Sequence, residues 1–293
     1  MKTLVLTFIL FTSLIIAQTP AQKTLLIRSD DFGMCHSVNL AIEELLESGI
    51  PVSVSIMFPC AWYNEAIEIL KKHPEAAVGV HLTLNSEWKN YRWAPIMGKQ
   101  LVPSLVDSTG FFFPSRSKLN ANKPNLGEME LELRAQIERA LSSGIRIDYM
   151  DYHMGAAVDK PEYRAIVEKL AAEYKLGISR YFGEEDVESM YAVDINDKAT
   201  YLVNLVSNGL RADTVNLLVT HVGIDNDELG SMEDLNVGGL KQMSKHREAE
   251  LRALLSREFN NIYKQGNVKF ITYRDLIQSV GLENMKSPVG SGY

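Results

Sequence analysis

The stretch Thr24–Gly33, TLLIRSDDFG, decides how this chain is read. Leu25, Leu26 and Ile27 form an apolar run of strand character, and Asp30 and Asp31 close it immediately before the turn residues Phe32 and Gly33. Two adjacent carboxylates at a strand end are poorly suited to a core. Burying unpaired charge is costly or forces neutralisation, so a compensating group is required, and a divalent cation is the natural candidate.

Two further strand ends supply partners. His81 lies in AAVGVHLTL and His153 in IDYMDYHMG, each near the end of an apolar stretch. One carboxylate and two imidazoles leave coordination positions open for water or substrate, which is the catalytic way of holding a metal. A fourth histidine, His221, ends VNLLVTHVG. Residues of this kind at the same point of separate strands converge on one face. His73, before Pro74, and His246, in a polar helical segment, lack that placement, as does His36.

Seven segments read as strands: 24–29, 52–58, 77–84, 147–154, 177–181, 215–220 and 268–273. Most are near-continuous apolar runs, as expected of parallel strands covered on both faces. Helical patterns alternate with them. Asn125 with Glu128 resembles a capping box, Gly144 stands ready to end that helix, Pro161 opens the next, and a long helix is expected from Ser244 to Gln265, closed by Gly266. Such βα alternation predicts an α/β fold, a distorted (β/α) barrel of about seven mainly parallel strands resembling a TIM barrel, with an open doubly wound sheet as the alternative. The candidate residues then sit at strand C-termini, the functional face of either architecture.

The chain has 293 residues and a formal net charge of -7. No Lys/Arg-rich stripe offers phosphate contacts, so a nucleic-acid partner is not expected. Residues 1–17 read as a signal peptide: Lys2 gives a positive start, Leu4 to Ile16 an apolar run, and Ala17 a small residue at the cut. The expectation is therefore an exported protein, periplasmic or secreted, with no stable membrane span after cleavage and a single domain over 18–293. Cys35 and Cys60 read as two separate buried thiols, with a disulfide left open by the oxidising compartment. Homodimerisation is also left open.

Residues 87–125 form a long loop-like insertion with prolines at 95, 103, 114 and 124. Phe111–Phe113 read as packing residues. Trp88 and Trp93 fit either packing or stacking on a sugar ring. Arg247 reads as a solvated helix arginine, with orientation of a catalytic group as the alternative. Asp148 and Asp151 flank His153 and are candidates for its second ring nitrogen.

RSDDFGMCHSVN, GVHLTL, DYMDYHMG and LLVTHVG, followed by HREAELRAL and FITYRDL, resemble the YdjC-like (ChbG/HpnK-type) carbohydrate deacetylases from about Leu25 to Leu276. The resemblance implies a barrel-like fold and hydrolysis of an N-acetyl group on an amino sugar, usually in a chitin-type oligosaccharide. It carries metal ligation to Asp31, His81 and His153, the general base to Asp30 and the second catalytic group to His221. One divalent ion, Mg2+ or Zn2+, is the implied cofactor. Val222 stands where that family commonly has proline. Against this reading stand another metal-dependent hydrolase (a phosphoesterase or esterase), an Fe(II) oxygenase, and a catalytically silent carbohydrate-binding protein. The sequence shows neither a second ligand cluster nor a Gly-rich phosphate loop, the βα alternation disfavours the oxygenase, and retention of Asp30 and His221 disfavours the silent binder.

Overall fold

A computed structural model describes residues 22–288. The expected signal peptide, residues 1–17, lies outside them. Among the described residues no helix is long and apolar enough to cross a membrane.

The strands are β1 (Lys23–Phe32), β2 (Ser53–Ile56), β3 (Ala77–Leu82), β4 (Tyr149–Tyr152), β5 (Gly177–Ile178), β6 (Glu184–Asp186), β7 (Val215–Thr220) and β8 (Val268–Ile271). Every pairing among them is parallel. The order is β5-β4-β3-β2-β1-β7-β6, and β8 also pairs with β1. β7 runs beside Thr24–Ser29, β8 beside Lys23–Leu26, and β2 beside Arg28–Phe32. With β7 on one edge of β1, β8 and β2 share the other edge, one at its start and one at its end. This is the distorted α/β barrel that the alternation predicts.

Helices cover the strands from outside, which is why Leu25, Leu26 and Ile27 can be consecutive, apolar and fully buried. Inside, Tyr149 fills the barrel: its hydroxyl bonds Ser55 Oγ at 2.9 Å and donates to the Val54 carbonyl at 3.0 Å. A Cβ at position 79 would lie 2.5 Å from that ring, so Gly79 on β3 makes room for it. No backbone pairing among the described residues joins β5 to β6. Side chains bridge the gap instead: Tyr273 contacts Ser179 Oγ and donates to Glu184 Oε1 at 3.0 Å, and Glu184 Oε2 accepts from the Phe182 N–H at 2.8 Å.

Three expectations need correction. The strand Glu184–Asp186 has no apolar pattern and escapes sequence reading, because it is an edge strand with Glu185 and Asp186 exposed. The long C-terminal helix is two, Met243–Leu255 and Arg257–Gln265. Ser256 takes an extended conformation (ψ 148°) and its hydroxyl caps the Phe259 N–H, starting a new helix inside an unbroken apolar period. Asn125 does cap the helix Leu126–Leu141, but Glu128 turns away to the Ser104 N–H at 2.7 Å, so there is no capping box.

The insertion carries structure of its own. It has a short helix Arg116–Ala121, and Trp93, Val102, Leu105, Phe112 and Leu119 are buried against the main core. The Glu132 carboxylate pins it by accepting the N–H groups of Ile96 and Met97, each at 3.0 Å. Cys35 and Cys60 are both free and buried, and burial pushes the Cys35 thiol up to about 12.

Candidate active site

The site is made where β1 goes out of register. Its pairing with β2 slips between Ser29 and Phe32, and Asp31 takes a left-handed backbone with φ 67°. Such a conformation is uncommon for a residue with a Cβ and costs on the order of 1–3 kcal/mol. Plain alternation of an extended strand would also send Asp30 and Asp31 apart, but here the divergence is set by the bulge. The turn behind it is fixed: Gly33 has φ 81°, its N–H donates to Asn39 Oδ1 at 2.7 Å, and a Cβ there would stand 2.8 Å from Tyr63 Cα. Asn39 in turn donates to Glu65 at 2.8 Å and to the Trp62 carbonyl at 3.0 Å.

Asp31 Oδ1 lies 3.5 Å from His81 Nε2 on β3 and 3.3 Å from His153 Nδ1 just beyond β4. The two ring nitrogens are 3.2 Å apart. All three residues are buried, and Asp31 Oδ1 makes no well-formed hydrogen bond. An orphaned carboxylate oxygen facing two imidazole nitrogens is a donor set that fits a divalent cation. Met154 and Gly155, with φ of 49° and 71°, turn the chain away directly after His153.

Each imidazole is held from behind by a carboxylate. Asp151 Oδ2 is 3.0 Å from His81 Nδ1, and Glu87 Oε2 is 3.0 Å from His153 Nε2. Asp151 therefore serves the histidine of the neighbouring strand, to which it is directly paired in register, rather than His153. Asp148 serves neither; both its oxygens accept from Arg274, at 3.0 and 2.9 Å. Glu87, at the start of the insertion, carries no motif that would have revealed it. Burial alone would lower both imidazoles, but Asp151 and Asp30 raise His81 to about 10, and Glu87 and Asp31 raise His153 to about 9.

Each aspartate has its own guanidinium. Arg28 donates from Nε to Asp30 Oδ1 at 2.6 Å and from Nη2 to Oδ2 at 2.7 Å. Arg247, from the helix Met243–Leu255, donates from Nη2 to Asp31 Oδ2 at 2.6 Å. Arg247 is only 4% exposed, so the reading of a solvated helix arginine is wrong, and its partner is Asp31 rather than the expected base. Burial alone would raise both carboxyls. Arg28, helped by His81, brings Asp30 below its ordinary value, and Arg247 with the two imidazoles holds Asp31 well below it. The sequence reading does not single out Arg28; the signal that could have found it is its place two residues before Asp30, on the same face of the strand.

His221, beyond β7, completes the wall. Its N–H donates to Glu250 Oε2 at 2.8 Å, and Glu250 Oε1 lies 3.2 Å from Nζ of the buried Lys198. Tyr191 meets the His221 ring edge-on at 6.0 Å. Asp30, Asp31, His81, His153 and His221 all line one cavity of about 370 Å³, together with Glu87, Trp88, Met154, Tyr191, Asp234, Met243 and Arg247. Trp88 belongs to that wall, whereas Trp93 is absent from it and is committed to packing, its indole N–H donating to the Asn85 carbonyl at 2.8 Å.

Fold and cavity together define an α/β-barrel enzyme whose pocket combines a metal-ready cluster with a separate carboxylate and imidazole. The sequence profile of the YdjC-like protein family matches residues 24–265, and the chain belongs to that family. It is 27% identical over 260 residues to Carbohydrate deacetylase 1 of Listeria innocua, covering 86% of this chain and 99% of the relative. It is 26% identical over 266 residues to a Carbohydrate deacetylase of Brevibacillus brevis, covering 86% and 99%. Among solved structures, a protein of Enterococcus faecalis V583 described as a cellobiose-phosphate cleavage protein superposes with a TM-score of 0.71 at 25% identity, covering 87% of this chain and 99% of the other.

Proposed function

We propose that this protein is a metal-dependent carbohydrate deacetylase that removes N-acetyl groups from amino sugars or chitin-type oligosaccharides. The observation that carries the reading is the separation of two adjacent aspartates. Asp31 is turned to His81 and His153, Asp30 is held by Arg28, and both face His221 across one cavity.

Asp31, His81 and His153 would hold one divalent ion, Zn2+ by the two imidazoles or Mg2+ by the open oxygen-accepting positions. When bound, such an ion polarises the acetyl carbonyl and stabilises the oxyanion formed on attack. The rest of the chemistry falls to the chain. Asp30 takes a proton from the attacking water at a carboxylate oxygen, a contribution of roughly 10²–10⁴-fold. Arg28 keeps that carboxylate ionised and fixed in orientation. His221, in its protonated form, gives a proton to the departing nitrogen, since an amide nitrogen does not leave as an anion. Asp151 and Glu87, by accepting from the outer ring nitrogens, hold the outer protons in place, so that the inner nitrogen of each ring is the one that would give up its proton to a metal. Trp88 offers an apolar wall for the C–H face of a sugar.

Acetate release from a panel of N-acetylated sugars, with each metal added back to stripped protein, tests the reading. Turnover of at least one amino sugar is expected; no acetate from any sugar with any metal would overturn it. The same proposal includes export, with cleavage after residue 17 leaving a single domain, and N-terminal sequencing of the mature protein checks it.

A further inference from the structure

We infer that Arg28 is a built-in cation occupying the place of a second metal ion, and that it limits the centre to one exchangeable metal. Contrary to the sequence expectation of no second ligand cluster, beside the cluster of Asp31, His81 and His153 lies a second set, Asp30, His81 and Asp151, whose ligand atoms also fall within 4.8 Å of one another. Two such sets sharing a residue are how two-metal hydrolases are assembled. In this protein the second set already holds a positive charge. Arg28 Nε lies 2.6 Å from Asp30 Oδ1 and 3.0 Å from Asp151 Oδ2, and Nη1 donates to Ser179 Oγ at 2.7 Å.

The guanidinium is 3% exposed and stays charged at any working pH. Removing it would leave two carboxylates facing each other in a buried space, which is relieved either by a proton or by a divalent ion, and the saturating Mn2+ of the test favours the ion. A second sign of suitability is Asp151 Oδ1, which is buried and has no partner. Arg28 uses only the other oxygen of that carboxylate. The arrangement has a functional result: Asp30 stays a proton acceptor rather than being consumed as a ligand. Arg28 is thus a positioning residue that also sets metal number.

The inference concerns metal number and rests on the proposed metal site, not on the choice of sugar. Equilibrium dialysis against Mn2+ with elemental analysis tests it. Wild type and Arg28→Lys should each bind one equivalent, Arg28→Ala two, and Arg28→Ala combined with Asp151→Asn one again. Folded Arg28→Ala that takes up only one equivalent at saturating Mn2+ would overturn the inference. Wild type that binds none would instead overturn the first metal site. If Arg28→Ala folds only with metal present, its thermal unfolding should rise with Mn2+ beyond the range that saturates wild type. Arg28→Gln, which keeps hydrogen bonds without charge, should gain the second equivalent too. Failure of both variants to fold at any Mn2+ concentration also counts against the idea, because an ion able to replace the guanidinium would restore them.

Discussion

Arg247 Nη2 and Asp31 Oδ2 meet at 2.6 Å, across a separation of 216 residues in the chain. The contact occupies one oxygen of the carboxylate and so leaves the other, Oδ1, for the two imidazoles. It also sets Asp31 apart from Asp30, which has a different guanidinium.

Arg247→Met should therefore weaken metal binding without touching a proposed ligand. Outer partners of ligands are worth about 10–100-fold in affinity. Leaving Asp31 buried and unpaired should also cost the metal-free protein about 3–5 kcal/mol. Metal titration and chemical denaturation check the two effects separately, and because the variant binds metal more weakly its stability loss should grow, not shrink, at saturating metal.

The imidazoles make metal binding depend on pH. His81 at about 10 and His153 at about 9 both stand above the ordinary histidine value. Their contribution to stability of the metal-free protein is therefore full below about pH 6.5 and is lost as pH rises through about 9 to 10. A metal requires both rings to lose a proton, so binding at pH 7 should release about two protons. Affinity should accordingly climb with pH through the neutral range, by up to about 100-fold per unit. Calorimetry in buffers of different ionisation enthalpy counts the protons; a pH-independent affinity would show that the rings are neutral beforehand.

Asp30→Asn keeps the shape of the base but removes its proton affinity. Turnover should fall by roughly 10²–10⁴-fold while metal occupancy stays near that of wild type. His221→Ala should cost more with an amide than with an activated acetyl ester, whose leaving group needs little protonation. Acetate release from both substrates gives the comparison, and equal losses on the two would remove His221 from the role of acid.

The two tryptophans of the insertion should separate. Trp93 is 5% exposed and hydrogen bonded to backbone, so Trp93→Ala should cost about 3–5 kcal/mol of stability. Trp88 is buried as well, 2% exposed, but it lines the cavity, so Trp88→Ala should cost stability and also raise KM for oligosaccharides, whereas Trp93→Ala should leave KM unchanged. Unfolding curves and steady-state kinetics on each variant distinguish the cases.

Much of the site could be read from residue spacing, because strand ends in a parallel barrel share one face. Asp30, Asp31, His81, His153 and His221 all reach the same cavity for that reason. What stayed hidden depends on contacts between distant segments. Glu87 reaches His153 from an irregular loop, where no period constrains direction. Arg247 looked like any arginine of a polar helix, since burial of one face is decided by what packs on it. Asp151 is a candidate partner of His153 by sequence distance alone, while the β3–β4 register sets it opposite His81. The bulge at Asp31 has no local signature, as aspartate tolerates the left-handed region only somewhat better than most residues. The short edge strand Glu184–Asp186 likewise owes its state to β7 rather than to its own residues.

The first strand among the described residues is also the one that waits longest for its neighbours. β1 pairs with β7 and β8, whose residues lie about 190 and about 245 positions later, and contacts of such long range slow folding. Until that last quarter of the chain arrives, Asp31 has no Arg247 and the edge of β1 stands open. A nascent or truncated chain ending before residue 215 would thus carry Asp31, His81 and His153 yet lack the support that aims Asp31 at them. If Asp31, His81 and His153 hold a metal as proposed, its capture would be a late event in maturation, a mark of a finished chain, and metal supplied early in refolding should not speed the assembly of the barrel.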